Sequence, residues 1–128
     1  MLPIEPGTRV SIQVVPRPEH AASALGNEGV DVTATTALIL FIEEASGGLS
    51  APYYEDGEAT VGVRVEVDHV APAKIGMAVR ISAQLLETKG RRLIFANEIY
   101  QGDTLVMKGF HHRTVVLMTS FSDDSFKR

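Results

Sequence analysis

Residues 34–49 read Ala34-Thr35-Thr36-Ala37-Leu38-Ile39-Leu40-Phe41-Ile42-Glu43-Glu44-Ala45-Ser46-Gly47-Gly48-Leu49, and the way this stretch folds decides the architecture. Ala34, Ala37, Leu38, Phe41, Ile42, Ala45 and Leu49 recur at spacings of three and four, which puts them on one face of a 3.6-residue period. No other stretch of the chain reads convincingly as a helix. Thr33, Thr35 and Thr36 are its candidate N-caps, without a capping-box glutamate three residues on. Gly47-Gly48 is expected to end it at positive φ, with Pro52 preventing its resumption. Its threonine and β-branched content makes it a modest helix alone, so it must pack on something larger.

On either side the chain alternates instead. Thr8 to Val14 reads as a strand stopped by Pro16 and Pro18, and Ala21 to Asp31 as a glycine-containing loop without fixed packing. Thr60 to Val70 alternates without a break, with Val61, Val63, Val65 and Val67 on one parity and Arg64, Glu66 and Asp68 on the other. Met77 to Glu87 repeats the pattern through Val79, Ile81, Ala83 and Leu85. Lys89-Gly90-Arg91 is a hairpin turn, Leu93 to Tyr100 returns, Gly102-Asp103 turns again, and Leu105 to Met118 is the longest strand. Ser122 to Arg128 reads as a frayed tail. The order is therefore strand, loop, one long helix, then four strands in an antiparallel meander. A helix that must be covered and a sheet with one apolar face satisfy each other when the sheet wraps the helix, which is the α+β hotdog fold.

Composition narrows the function without naming it. At 128 residues the chain fits one domain, residues 1–128, long enough to bury roughly two thirds of its unfolded surface. It has no cysteine, which excludes disulfides, thiolate metal sites and cysteine nucleophiles. A net charge of −4 argues against nucleic-acid or anionic-membrane binding. No signal peptide is visible, and the longest apolar run, Ala37 to Ile42, is six residues, so a cytoplasmic location is expected.

Few residues remain that could carry chemistry. His69 shares the parity of the strand's valines and points to the apolar side, as either a satisfied core residue or a functional base. Of Glu43 and Glu44, about 100° apart around the helix, one can approach the buried sector. Thr35 lies eight residues before Glu43, about 80° away around the axis, near N–H groups suited to a carbonyl oxygen. A solvated Glu43 and a capping Thr35 are the plainer alternatives. His111 and Arg113 share one parity and His112 takes the other, without the spacing of a metal site. Lys89, Arg91 and Arg92 form a basic turn that reads as a solvated tip or a phosphate contact.

Several segments together carry a family resemblance. They are Ala51-Pro52-Tyr53, Glu55-Asp56-Gly57-Glu58, Val61-Gly62, Val67-Asp68-His69 before an Ala/Pro loop ending in Gly76, Glu87-Thr88-Lys89-Gly90-Arg91-Arg92-Leu93, and His111-His112-Arg113-Thr114-Val115. The stretch from Thr35 to Arg113, about two thirds of the chain, resembles the fluoroacetyl-CoA thioesterase family of hotdog enzymes. That family's catalytic Thr, Glu and His would fall on Thr35, Glu43 and His69, and its substrate-contacting glycine and arginine on Gly62 and Arg113. The resemblance implies an acyl-CoA thioesterase releasing free acid and CoA, with no cofactor beyond the CoA thioester substrate. Arg113 and the Lys89/Arg91/Arg92 turn become candidates for the CoA phosphates. The glycine-rich segment before Thr35 departs from the family where it gates the acyl pocket, so a short or medium acyl group is expected rather than a fluorinated one. An incompletely covered sheet edge implies a homodimer with sites at the interface, and leaves open a tetramer of two dimers. The rival readings are a non-catalytic acyl/CoA-binding hotdog module and, below it, a hotdog enoyl-CoA hydratase, which would be expected to carry a Gly-Asp-x-Asn-Pro type segment that this chain lacks.

Overall fold

The computed structural model describes residues 1–121; the expected tail, 122–128, lies outside the described residues. The elements are β1 (Arg9–Val14), α1 (Thr35–Ser50), β2 (Glu58–His69), β3 (Val79–Lys89), β4 (Arg92–Gln101) and β5 (Thr104–Leu117), with four short 3₁₀ turns. All five strands form one antiparallel sheet that curls around α1, the expected α+β hotdog arrangement.

The periodicities explain the core. Helix α1 buries Ala37, Leu38, Phe41, Ile42, Ala45 and Leu49, the stripe read from the sequence, together with Ser46 and Ser50. Val79, Ile81, Ala83 and Leu85 of β3 face it and are fully buried, as are Phe95 and Ile99 of β4. Each of the Val, Leu, Ile and Phe side chains among these contributes about 1.5–3 kcal/mol by leaving water. Where Ser46 crosses β4, Asn97 Nδ2 donates to Ser46 Oγ at 3.0 Å and to the Ser82 carbonyl at 3.3 Å, while its Oδ1 is buried without a partner among the described residues.

Five expectations are corrected. The last four strands are not a meander, because the order is β1-β3-β4-β5-β2. Tight turns at Gly90 and Gly102, both at φ 58, tie β3 to β4 and β4 to β5. The free edge of β3 goes to β1 and that of β5 to β2, which therefore closes the sheet. Nor do the valines of β2 share one face. A bulge at Val63, between the Gly62–Arg113 and Arg64–His112 pairs, switches the parity. Thr60 and Gly62 face the helix before it, and Val65, Val67 and His69 after it, while Val61 lies on the outer face.

The helix does not end at Gly47-Gly48, and neither glycine has positive φ. It runs to Ser50 and passes into the Ala51–Tyr53 turn that accommodates Pro52. A Cβ on Gly47 would lie 3.5 Å from the Arg113 guanidinium, an ordinary packing distance that places this turn of the helix against the sheet's arginine. The N-cap is Ala34, with no side-chain cap: Thr33 Oγ1 donates to the Ala73 carbonyl and Thr35 Oγ1 meets His69. Finally, the segment expected to lack fixed packing is anchored. Its backbone closes on itself through Ala22 N to Val32 O and Ser23 N to Val30 O, Ala21 and Ala22 are buried, and the His20 ring stands edge-on to Phe41.

Candidate functional site

Helix α1 and strand β2 lie beside each other with opposite chain directions. The start of the helix therefore meets the end of the strand, and the middle of the helix meets the strand's beginning. At the first meeting point, Thr35 Oγ1 and His69 Nδ1 are 2.7 Å apart. Thr35 is the first helical residue, and the first intrahelical bond runs from Leu38 N to Ala34 O. The N–H groups of residues 35–37 thus have no helical acceptor and favour a partially negative oxygen nearby. His69 Nε2 is buried and has no hydrogen-bond partner among the described residues. A cavity of about 310 Å³ opens beside the pair, lined by Ala22, Leu25, Val30 and Val32 as well as Thr35 and His69.

The second meeting point is denser. Glu43 is half-buried while Glu44 is exposed, so one of the two adjacent carboxylates does approach the covered sector. Its Oε2 lies 3.8 Å from Arg113 Nη1. A Cβ on Gly62 would come within 2.9 Å of both Glu43 Oε2 and His111 Cε1, so only glycine lets these two side chains share the space. Arg113 is 9% exposed and does not reach outward as a free phosphate ligand would. Its Nε donates to Thr60 Oγ1 at 2.9 Å and its Nη2 to the Thr60 carbonyl at 2.8 Å. Nη1 donates to His111 Nε2 at 3.1 Å, and His111 Nδ1 donates to the Arg64 carbonyl at 2.9 Å. Burial above all pushes the His111 imidazole below its ordinary value of 6.5; the Arg64 carbonyl opposes this and Arg113 adds to it.

The five residues singled out in the sequence thus fall into two groups: Thr35 with His69, and Glu43 with Gly62 and Arg113. No hydrogen bond or ion pair among the described residues joins the groups. Eight helical residues separate Thr35 from Glu43, about 12 Å along the axis. The Lys89/Arg91/Arg92 turn stays at the surface, with Lys89 Nζ 3.5 Å from Glu87 and Arg91 Nε donating to the Val115 carbonyl. Sequence reasoning missed Thr60, Tyr54 and Ser50, whose hydroxyls adjoin one another beneath Arg113. Thr60 shares the parity of Gly62, a signal that was available; its pairing with Ser50 depends on the helix crossing.

Comparison with known proteins bears on family and fold. Residues 16–119 match the family model described as fluoroacetyl-CoA-specific thioesterase. Over 92 residues the chain is 32% identical to the fluoroacetyl-CoA thioesterase of Streptantibioticus cattleyicolor, covering 72% of this chain and 66% of that enzyme, just under two thirds of its length. A solved variant of the fluoroacetyl-CoA-specific thioesterase, in complex with fluoroacetate and CoA, superimposes with a TM-score of 0.89 at 28% identity, covering 93% of this chain and all of the other. A Thermus thermophilus hypothetical protein, described as a thioesterase superfamily member, gives 0.87 at 29% identity over 94% and 89% of the two chains. A hot-dog-like protein from Thermanaerovibrio acidaminovorans, 19% identical, matches in fold with a TM-score of 0.85 over 95% and 93%.

Proposed function

The chain belongs to the fluoroacetyl-CoA-specific thioesterase family, and from that membership we propose that it hydrolyses the thioester of a short or medium acyl-CoA to the free acid and CoA. The observation that carries this reading is the Thr35–His69 contact of 2.7 Å at a helix N-terminus, beside a cavity with aliphatic walls. A thioester carbonyl needs a nucleophile, stabilisation of the developing oxyanion and a proton for the leaving thiolate. Thr35 and the free helical N–H groups polarise the carbonyl. His69, oriented through Nδ1, exchanges protons through Nε2. Glu43 either attacks the carbonyl to give a mixed anhydride or draws the proton from an attacking water. Mass spectrometry of an acid-quenched turnover separates the two, since only the first route leaves the acyl group on Glu43, and 18O from water entering Glu43 would mark an anhydride opened at the Glu43 carbonyl. The walls at Ala22, Leu25, Val30 and Val32 are hydrocarbon, which suits an aliphatic acyl group.

The separation of the two groups points to a homodimer. Among the described residues strand β2 is an edge with no partner beyond β5, and Val61, Val63 and Val65 are exposed along it. When two such edges meet antiparallel about a twofold axis, the Thr35–His69 end of one protomer comes toward the Glu43–Gly62–Arg113 end of its partner. Each site then draws on both copies.

Thiol release from a panel of acyl-CoAs, with Glu43→Gln as control, tests the activity. CoA binding without thiol release would favour the binding module instead, and hydration of crotonyl-CoA the hydratase. Mixing inactive Glu43→Gln and His69→Ala protomers tests the shared site. Exchange should restore roughly a quarter of wild-type activity, because half the dimers are mixed and each mixed dimer regains one intact site. No recovery after demonstrated exchange would place each site within one chain.

A further inference from the structure

The buried polar chain behind Arg113 has no part in the scheme above, yet its bonds allow one assignment only. The Arg64 carbonyl can only accept, so His111 Nδ1 carries a proton. Arg113 Nη1 can only donate, so His111 Nε2 offers a lone pair. A neutral imidazole protonated on Nδ1 satisfies both; an imidazolium would turn a second N–H against the guanidinium. The other side of the guanidinium is gripped by Thr60, whose hydroxyl meets those of Tyr54 and Ser50. The nitrogen bonded to His111 is also the one that faces Glu43.

We propose that His111 is a positioning residue that aims Arg113 Nη1 at Glu43 and so fixes the orientation of that carboxylate; this rests on Glu43 taking part in the reaction proposed above. The geometry leaves His111 little alternative. It is fully buried, its ring stacks 6.4 Å from that of Phe95 on β4, and a Cβ at Gly62 on β2 would strike it. The charged and titratable groups around it are Glu43 from α1, Arg113 and His112 from β5, and Arg64 from β2, whose carbonyl it holds. Burial is the largest influence and favours the neutral ring, and Arg113 acts in the same direction.

The test compares His111→Phe, which keeps the ring and removes both nitrogens, with His111→Gln, whose amide can donate to Arg64 and accept from Arg113. His111→Phe should lower kcat about 10–100-fold with KM little changed, because the reacting group is misaimed rather than the substrate unbound. His111→Gln should recover most of that loss. A His111→Phe enzyme within about twofold of wild type, or a Gln variant no better than Phe, overturns the proposal. Should the Phe variant not fold, imidazole 15N shifts of the wild-type protein decide. A neutral ring protonated on Nδ1 supports the assignment, and protonation on Nε2 overturns it. A Glu43→Gln variant with full turnover would instead overturn the underlying reading. Loss in Glu43→Gln beside an unaffected His111→Phe removes this proposal alone.

Discussion

The two ends of the α1–β2 contact are built on opposite principles. Thr35 is exposed and its side chain makes a single hydrogen bond, to His69, whose other nitrogen is left without a partner among the described residues. Arg113 is buried, bonded on both faces of its fork by Thr60 and His111, and each of these is bonded in turn. One end keeps its bonding capacity open and can offer it to a substrate. The other spends its capacity internally and gives Glu43 a fixed neighbour. Openness suits groups that must exchange protons, and redundancy suits a group that must not move.

The sharpest way to break this contrast is at Glu43, the reacting carboxylate that the closed end carries at its half-exposed margin. Glu43→Gln should cut turnover by about 10²–10⁴-fold while the half-exposed side chain leaves the melting temperature nearly unchanged, as steady-state kinetics and calorimetry would show. At the open end, His69→Ala should cost about 10²-fold in kcat, again with little loss of stability. At the buried groups behind Glu43 activity and stability should fall together. Arg113→Lys cannot reproduce the fork to Thr60 and His111, and should lose about 2 kcal/mol in denaturant unfolding along with part of kcat. An Arg113→Lys protein as stable as wild type would erase the distinction between the ends. Gly62→Ala should cost about 1–3 kcal/mol, since the buried His111 ring cannot yield as the flexible Glu43 can.

The smallest effect is one of pH. His111 has a folded value depressed below 6.5, so below that pH the unfolded chain binds a proton that the folded chain refuses. Stability is therefore fully present above about pH 6.5 and declines as pH falls toward the folded value. His112 acts in the same direction, chiefly through desolvation, but from the outer face of β5. His111→Gln should flatten the slope of melting temperature against pH, and an unchanged slope would assign it elsewhere.

Much of this was legible before any coordinates. The 3.6-residue stripe from Ala34 to Leu49 found the helix, and alternation found β2 to β5 because each residue's face depends only on its neighbours. Strand order was not legible, since the pairing of β2 with β5 depends on which edges the turns at Gly90 and Gly102 leave free. The bulge at Val63 was hidden because valine occupies alternate positions on both sides of it, so the pattern reads the same while the face switches. His69 was still placed on the helix side, being on the parity of Val65 and Val67. His111 shares Arg113's parity, but sequence spacing tests a histidine there only against the pattern of a metal site. Its partners, the Arg64 carbonyl and the space above Gly62, come from another strand and leave no mark near it in the chain.

Gln101 lies at the end of β4, with no hydrogen bond to either group of site residues among the described residues. Its side-chain amide behaves as a detached piece of backbone: Lys74 N donates to its Oε1 at 2.8 Å, and its Nε2 donates to the carbonyls of Lys74 and Met77 at 3.0 and 2.9 Å. The segment clamped in this way accepts both the N–H and the hydroxyl of Thr33 at Ala73 and bridges Val32 through Lys74. Two residues later the chain reaches Thr35. A mechanical linkage thus runs from the sheet's interior through a tethered loop to the tip of the helix, and it makes the bearing of the Thr35 hydroxyl depend on an amide that never approaches it.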